Sequence, residues 1–324
     1  MNDFHKLVKL CAGRHVYVQT HNFPDPDAIA SAFGLQSLLE LHNVQSTICY
    51  DGRLDKLSSS KMLEAFHIEM FSYEQLRPHL SEEDYIICVD AQKHSGNITD
   101  FIGDEVACID HHPTFVPIEY HYKDIRKTGA CAAIIAQYFQ QLDIQPNPAV
   151  AAALLYGIKM DTLQFTRGVT ELDIAMFQFL FPLCDQETLA RLERNNMEFK
   201  DLKAYGATIE NIEIYGKVGI SDIPFPCPDA LIAILSDFIL SLQEVEIAII
   251  FSYRKDGIKF SVRSEDPMVH AGQLIHDALQ GYGDGGGHAE MAGGMIRKEN
   301  ENRLGKHPKD AVRQLFLQVL SKTV

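Results

Sequence analysis

The chain has 324 residues, 46% of them hydrophobic, which is more length than one hydrophobic core usually serves and enough apolar material for two domains. A formal charge of −15 and a pI near 5.3 exclude the basic track needed to grip a long nucleic acid. With a mean hydropathy of −0.09, no apolar run of the roughly 20 residues that span a bilayer, and no signal-peptide core in the first ten residues, the expectation is a cytoplasmic protein without membrane contact.

From residue 1 to 182, short β-rich runs alternate with helical patterns, as in an α/β domain built on a doubly wound, mainly parallel sheet. Residues 15–20 predict the first strand, broken by Pro24 and Pro26. Asp27 then opens a helix whose apolar positions Ile29, Phe33, Leu35, Leu38 and Leu39 recur at helical spacing. Residues 46–50, 85–89 and 106–109 predict further strands, and 62–66, 130–142 and 149–158 helices. Residues 186–210 are rich in Glu, Arg, Lys, Leu and Ala and lack proline, so one continuous exposed helix is expected. It would form a linker over 183–210 between the first domain and a smaller mixed α/β domain over 211–324. There, 212–220, 246–253 and 257–263 predict strands, and 228–242 and 267–280 helices. The seven scattered cysteines include no C-x-x-C pair and read as buried, reduced thiols.

Acidic and imidazole side chains follow the predicted elements in a recurring way. His21, Asp25 and Asp27 follow the first strand, Asp90 follows 85–89, Asp110-His111-His112 follows 106–109, and Asp161 follows the apolar helix 149–158. Parallel sheets gather their strand ends along one edge, where ligands bind. These residues are therefore candidates for one site that holds two metals. Asp25 and Asp27, one residue apart, suit two neighbouring cations, although each also fits an ordinary turn or N-cap role. Adjacent histidines beside a carboxylate can divide labour, one ligating a metal and the other meeting substrate, while the aspartate orients a ring.

In the second domain, Gly281, Gly283 and Gly286 match G-x-G-x-x-G but follow a helical pattern, which argues against a dinucleotide loop. The better reading is a glycine loop, Gly285-Gly286-Gly287-His288, that lets backbone approach a ligand while His288 contacts phosphate or base.

The series H-x3-D-x-D, apolar-V-D, D-H-H-P and Lys159-Met160-Asp161-Thr162 resembles the DHH phosphoesterase superfamily in all four of its motifs. The GGGH element, with Arg263, resembles the DHHA1 substrate-binding domain, so the resemblance covers nearly the whole chain. It implies one metal held by His21, Asp25 and Asp90, and a second held by Asp27, Asp90, His111 and Asp161, with Asp90 bridging. His112 would touch the scissile phosphate, and Asp110 would hold the histidines. Arg263, Gly285, Gly286, Gly287 and His288 would bind the far end of the substrate across an interdomain cleft; Arg167, just past Asp161, is a candidate phosphate contact or an ordinary loop cation. Met160 and Leu163 depart from the Thr-Asp-Thr-Gly form of related proteins and leave the shape of the nucleotide pocket open.

Oxygen-rich ligation with one imidazole per metal suits Mn2+, with Co2+ or Mg2+ as alternatives. A hydroxide bridging two such ions could attack phosphorus in line. Proteins of this compact form resemble nanoRNases. The expected function is therefore Mn2+-dependent hydrolysis of 5′-phosphorylated linear dinucleotides such as pGpG or pApA, and of very short oligoribonucleotides, to nucleoside monophosphates. Adenosine 3′,5′-bisphosphate phosphatase and cyclic di-AMP phosphodiesterase are the alternatives. A non-catalytic nucleotide sensor is a reading of another class, and its hallmark would be loss of a ligand carboxylate; none is missing here. The expected partners are small nucleotides, and the resemblance is compatible with a homodimer.

Overall fold

The computed structural model describes residues 4–54, 57–194 and 197–323. Two compact units divide the chain, Met1–Asn196 and Met197–Val324. The first contains strands β1 (His15–Gln19), β2 (Gln45–Tyr50), β3 (Phe71–Ser72), β4 (Tyr85–Val89), β5 (Asp104–Asp110) and β6 (Tyr122–Ile125) in one sheet, ordered β3-β2-β1-β4-β5-β6. Every pairing in that sheet is parallel. The order grows outward from β1 one way and from β4 the other. The junction of β1 and β4 is thus the topological switch point, where a crevice opens beyond the strand ends.

The helices of this unit are α1 (Phe4–Cys11), α2 (Pro26–Leu41), α3 (Leu57–Phe66), α4 (Tyr73–Leu76), α5 (Cys131–Gln141), α6 (Pro148–Asp161), α7 (Glu171–Leu180) and α8 (Gln186–Arg194). Val16, Val18, Ile87, Val89, Ala107 and Ile109 alternate along their strands onto one face, where Ile29 and Leu35 of α2, Ile135 of α5 and Leu154 of α6 complete the main core. The other face carries a smaller cluster of Cys49, Ile86, Cys88 and Cys108 under Phe101 and Tyr73. α2 and α6 are buried on nearly all sides, which is how helices at the centre of a core read. Pro26 and Pro148 sit in their first turns, where a missing N–H costs nothing.

In the second unit the order is β11-β12-β10-β9-β8-β7, with the elements α9 (Leu202–Asn211), β7 (Glu213–Tyr215), β8 (Val218–Ile223), α10 (Asp229–Leu240), β9 (Ile247–Tyr253), β10 (Gly257–Ser264), α11 (Ala271–Leu279), β11 (Asp284–Gly287), β12 (Met291–Arg297) and α12 (Pro308–Thr323). The β8–β9 pair is parallel and the others antiparallel. One apolar cluster joins α11 and α12 to the sheet, and a second joins α9 and α10.

Three expectations change. The continuous helix over 186–210 is instead α8 and α9, separated by a short 3-10 turn at Phe199–Asp201. Asp201 accepts the Glu198 N–H at 2.9 Å, so a fresh N-terminal cap begins where composition alone showed no break. The strand over 212–220 is a hairpin, β7 and β8, turning at Gly216 with φ +61°. The glycine loop is an edge strand, β11, paired with β12. A Cβ on Gly285 would stand 2.9 Å from Ile275 of α11, so this glycine lets the helix lie close on the strand.

All seven cysteines are free, six of them buried and Cys184 partly exposed. Among the described residues, no helix is long and apolar enough to cross a membrane.

Candidate metal centre

The ends of β1, β4 and β5 bring their polar residues to the switch point, and α2 and α6 complete the ring. Asp25 is the N-cap of α2, its Oδ1 accepting from the backbone N–H groups of Asp27 (3.1 Å) and Ala28 (3.2 Å). The capping reading of this residue therefore applies, and its carboxylate still lies 3.7 Å from His21 Nε2. Asp27 is only 1% exposed and is held from outside its own helix: its two oxygens accept from Cys131 N (2.7 Å) and Ala132 N (2.9 Å) at the start of α5. Asp90 directly follows β4 with φ +59°, a left-handed conformation that turns the chain sharply, and its carboxylate faces His21 and His111. Asp161 is the last residue of α6.

Two triads result, each with ligand atoms within 4.8 Å of one another: His21, Asp25 and Asp90, and Asp27, His111 and Asp161. Asp90 faces both. Its Oδ2 lies 3.6 Å from His21 Nε2, and its Oδ1 lies 3.2 Å from His111 Nε2. His111 Nε2 also stands 3.4 Å from Asp161 Oδ2 and 3.8 Å from Asp27 Oδ2. The predicted ligands thus converge from five separate segments.

The residues present fit divalent cations on three counts. Each ligand imidazole pairs Nδ1 with a backbone carbonyl, His21 with Asn22 O (2.7 Å) and His111 with Thr128 O (3.0 Å), leaving Nε2 turned toward the carboxylates. Asp90 Oδ1 is buried without an aligned hydrogen bond, a costly state for a carboxylate oxygen and one that a cation relieves. The acids also crowd one another. Burial, then the charges of Asp90 and Asp161, push the Asp27 carboxyl well above the usual range, and burial followed by Asp25 raises Asp161 to about 6. Burial lowers the His21 pKa, but Asp25 and Asp90 outweigh it and lift the ring to about 9; Asp90, Asp27 and Asp161 lift His111 to about 11 in the same way. Protons on the imidazoles are doing here what cations would do more completely. Oxygen donors with one imidazole per triad and no thiolate match Mn2+, Mg2+ or Co2+ rather than a structural zinc site.

Asp110 is fully buried, and its Oδ1 accepts from His111 N and pairs with His112 Nδ1, both at 2.8 Å. His112 is the more open imidazole, its side chain 41% exposed. The Arg167 guanidinium donates to Asp161 O at 3.2 Å. It follows three successive residues in the left-handed region, Leu163, Gln164 and Phe165, at the place where the chain departs from Thr-Asp-Thr-Gly.

Arg263 in the second unit is paired with Asp237 (Nε to Oδ1 2.6 Å), the plain salt bridge that its residue type allows. His288 is exposed, beside Gly286 and Gly287 on the edge strand. Sequence reasoning passed over Gln92, Thr128 and Asp173. Asp173, fully buried, accepts from Thr128 Oγ1, Gly129 N and both donors of Thr170, and so steadies the carbonyl that orients His111. Asp173 also caps α7, and that capping pattern, Thr170-x-x-Asp173, was the available signal.

Fold and site together define a doubly wound α/β protein with two adjoining His–Asp clusters of metal-ligating type at its switch point. Its sequence matches the DHH family, N-terminal domain, over residues 15–158 and the DHHA1 domain over 217–314. The chain belongs to the DHH/DHHA1 phosphoesterase family. It is 27% identical over 312 residues to an uncharacterized protein of Methanocaldococcus jannaschii, covering 94% of this chain and 63% of that one. It is 25% identical to a Streptococcus mutans protein named "Probable bifunctional oligoribonuclease and PAP phosphatase NrnA", covering 91% of this chain and 94% of that one. The chain spans less than two thirds of some relatives: besides the archaeal protein, it covers 49% of the "Cyclic-di-AMP phosphodiesterase GdpP" of Geobacillus thermodenitrificans, at 24% identity over 96% of this chain. The solved structure of an exopolyphosphatase-related protein from Bacteroides fragilis shares the fold, with a TM-score of 0.77 at 18% identity, covering 98% of this chain and 94% of that one.

Proposed function

We propose that this chain is a divalent-cation-dependent phosphodiesterase that hydrolyses 5′-phosphorylated linear dinucleotides, such as pGpG or pApA, and very short oligoribonucleotides to nucleoside monophosphates. The observation that carries the reading is Asp90, with one carboxylate oxygen toward each of two His–Asp triads. His21, Asp25 and Asp90 would hold one cation, and Asp27, Asp90, His111 and Asp161 the other, with Mn2+ the best match. Such a pair supplies an activated water and neutralises charge on the phosphoryl group.

The chain's own side chains do the rest. Asp110 fixes His112 through Nδ1, so the opposite edge of the ring is available to steady or protonate the leaving oxygen. Arg167 adds positive charge beside Asp161. Gly285, Gly286, Gly287 and His288, with Arg263, are the proposed substrate contacts contributed by the second unit. Because Arg263 is already committed to Asp237, His288 is expected to matter more.

The streptococcal relative, matched over nearly the full length of both chains, supports short oligoribonucleotides. Its name also covers a phosphatase activity on PAP, which makes adenosine 3′,5′-bisphosphate the second substrate to consider. A side-by-side assay with Mn2+ of pGpG, pApA, adenosine 3′,5′-bisphosphate and cyclic di-AMP, with Asp90→Ala as control, tests the reading. Fastest turnover of the linear dinucleotides is expected. Turnover confined to the cyclic or bisphosphate substrate would replace the proposal, and nucleotide binding without turnover would make the protein a sensor.

A further inference from the structure

Gln92 lies two residues beyond Asp90 and is 4% exposed. Its single amide nitrogen makes two bonds, to Asp110 Oδ2 at 2.7 Å and to the His112 carbonyl at 3.0 Å. Asp110 is itself fully buried, and its Oδ1 is taken up by His111 N and His112 Nδ1. Gln92 is the one donor to Oδ2 among the described residues. Without it the carboxylate keeps a bond on one oxygen only, is free to rotate about Cβ–Cγ, and leaves a buried acceptor unsatisfied. His112 would then lose its backbone tether directly and the stiffness of its ring tether indirectly.

We infer that Gln92 is a positioning residue that locks His112 from both ends, ring and backbone, and thereby ties the end of β4 to the end of β5. The amide suits this place because it donates without carrying charge. A lysine would set a cation beside the metal triads, and a glutamate would repel Asp110. The other side of Gln92 lines a cavity of about 700 Å³ bounded by Tyr120, Arg126, Gln137 and Tyr138.

The inference rests on the proposed role of His112, and its test has one readout that needs no activity. In 15N-histidine NMR spectra of the metal-free protein, Gln92→Met should shift or broaden the His112 ring signals and leave those of His21 in place. In Mn2+-dependent hydrolysis of bis(4-nitrophenyl) phosphate, the same variant should lower kcat by about 10–100-fold, the usual cost of losing an outer partner at such a centre, with little change in KM. In a His112→Ala background, Gln92→Met should cost almost nothing further. Gln92→Asn, polar but too short to reach both acceptors, should move each readout in the same direction and serves if the methionine variant does not fold. Unmoved His112 signals, or an equal loss of kcat with and without His112, would overturn the positioning role. His112 signals that move in a protein without phosphodiesterase activity would support it and overturn only the functional reading.

Discussion

Asp90 combines a left-handed backbone, a buried oxygen without an aligned hydrogen bond and proximity to both ligand imidazoles. Replacing it should separate stability from metal binding. Asp90→Asn relieves repulsion with Asp27 and Asp161 but also removes a partner of the two protonated imidazoles, so its thermal midpoint in chelator should stay close to that of the parent protein. Its Mn2+ affinity and activity should fall by more than about a hundredfold, beyond the typical cost of an outer-shell change. Calorimetric titration with melting curves in EDTA checks both. The imidazoles predict the pH response. With His21 at about 9 and His111 at about 11, both rings are protonated at neutral pH in the metal-free protein, and a cation must displace those protons. Apparent Mn2+ affinity should therefore rise with pH, by about tenfold per unit for each proton displaced. Asp161, at about 6, adds a competing proton at the acid end. Titrations at about pH 6 and about pH 8 that gave equal affinities would contradict this protonation scheme.

At the scale of elements, the site depends on how closely α6 approaches the start of α2. A Cβ on Gly157 would lie 2.8 Å from the Ala30 Cβ and 3.2 Å from the Asp27 Cα, so a side chain there pushes on the turn that carries Asp27. Gly157→Val should cost about 1–3 kcal/mol in chelator, as overpacking does, and should weaken Mn2+ binding as well. Wild-type metal affinity in that variant would show that the helix approach does not set the Asp27 position. The same scale shows what could be read from sequence. The strands that end in Asp90 and Asp110 announce themselves as runs of buried β-formers followed by a carboxylate, and the helix of Asp161 as an apolar stretch too long for a strand. Partners without such periodicity stayed hidden. Gln92 is an isolated amide after a turn, and the Thr128–Asp173 link joins residues 45 apart through a hydroxyl–carboxylate hydrogen bond. β11 escaped because three of its four residues are glycine, which strand propensity disfavours, although pairing with β12 and close packing by α11 hold it extended.

The whole molecule comprises two units with separate apolar cores, so a ligand of one core need not stabilise the other. Mn2+ at about a hundred times its dissociation constant should add about 2.7 kcal/mol per occupied site to the unit that holds the triads. That corresponds to a rise of roughly 5–10 °C in its calorimetric transition, and the transition of the second unit should not follow. The net charge of −15 favours accumulation of divalent cations and disfavours long nucleic acid, so the proposed substrates remain ones small enough to be neutralised locally. The claim on which this account turns is that two cations share Asp90. Anomalous diffraction at the manganese edge from crystals grown with Mn2+ tests it most directly. The account predicts two peaks about 3.5–4 Å apart, one on each side of the Asp90 carboxylate; a single peak, or none within reach of Asp90, would contradict it.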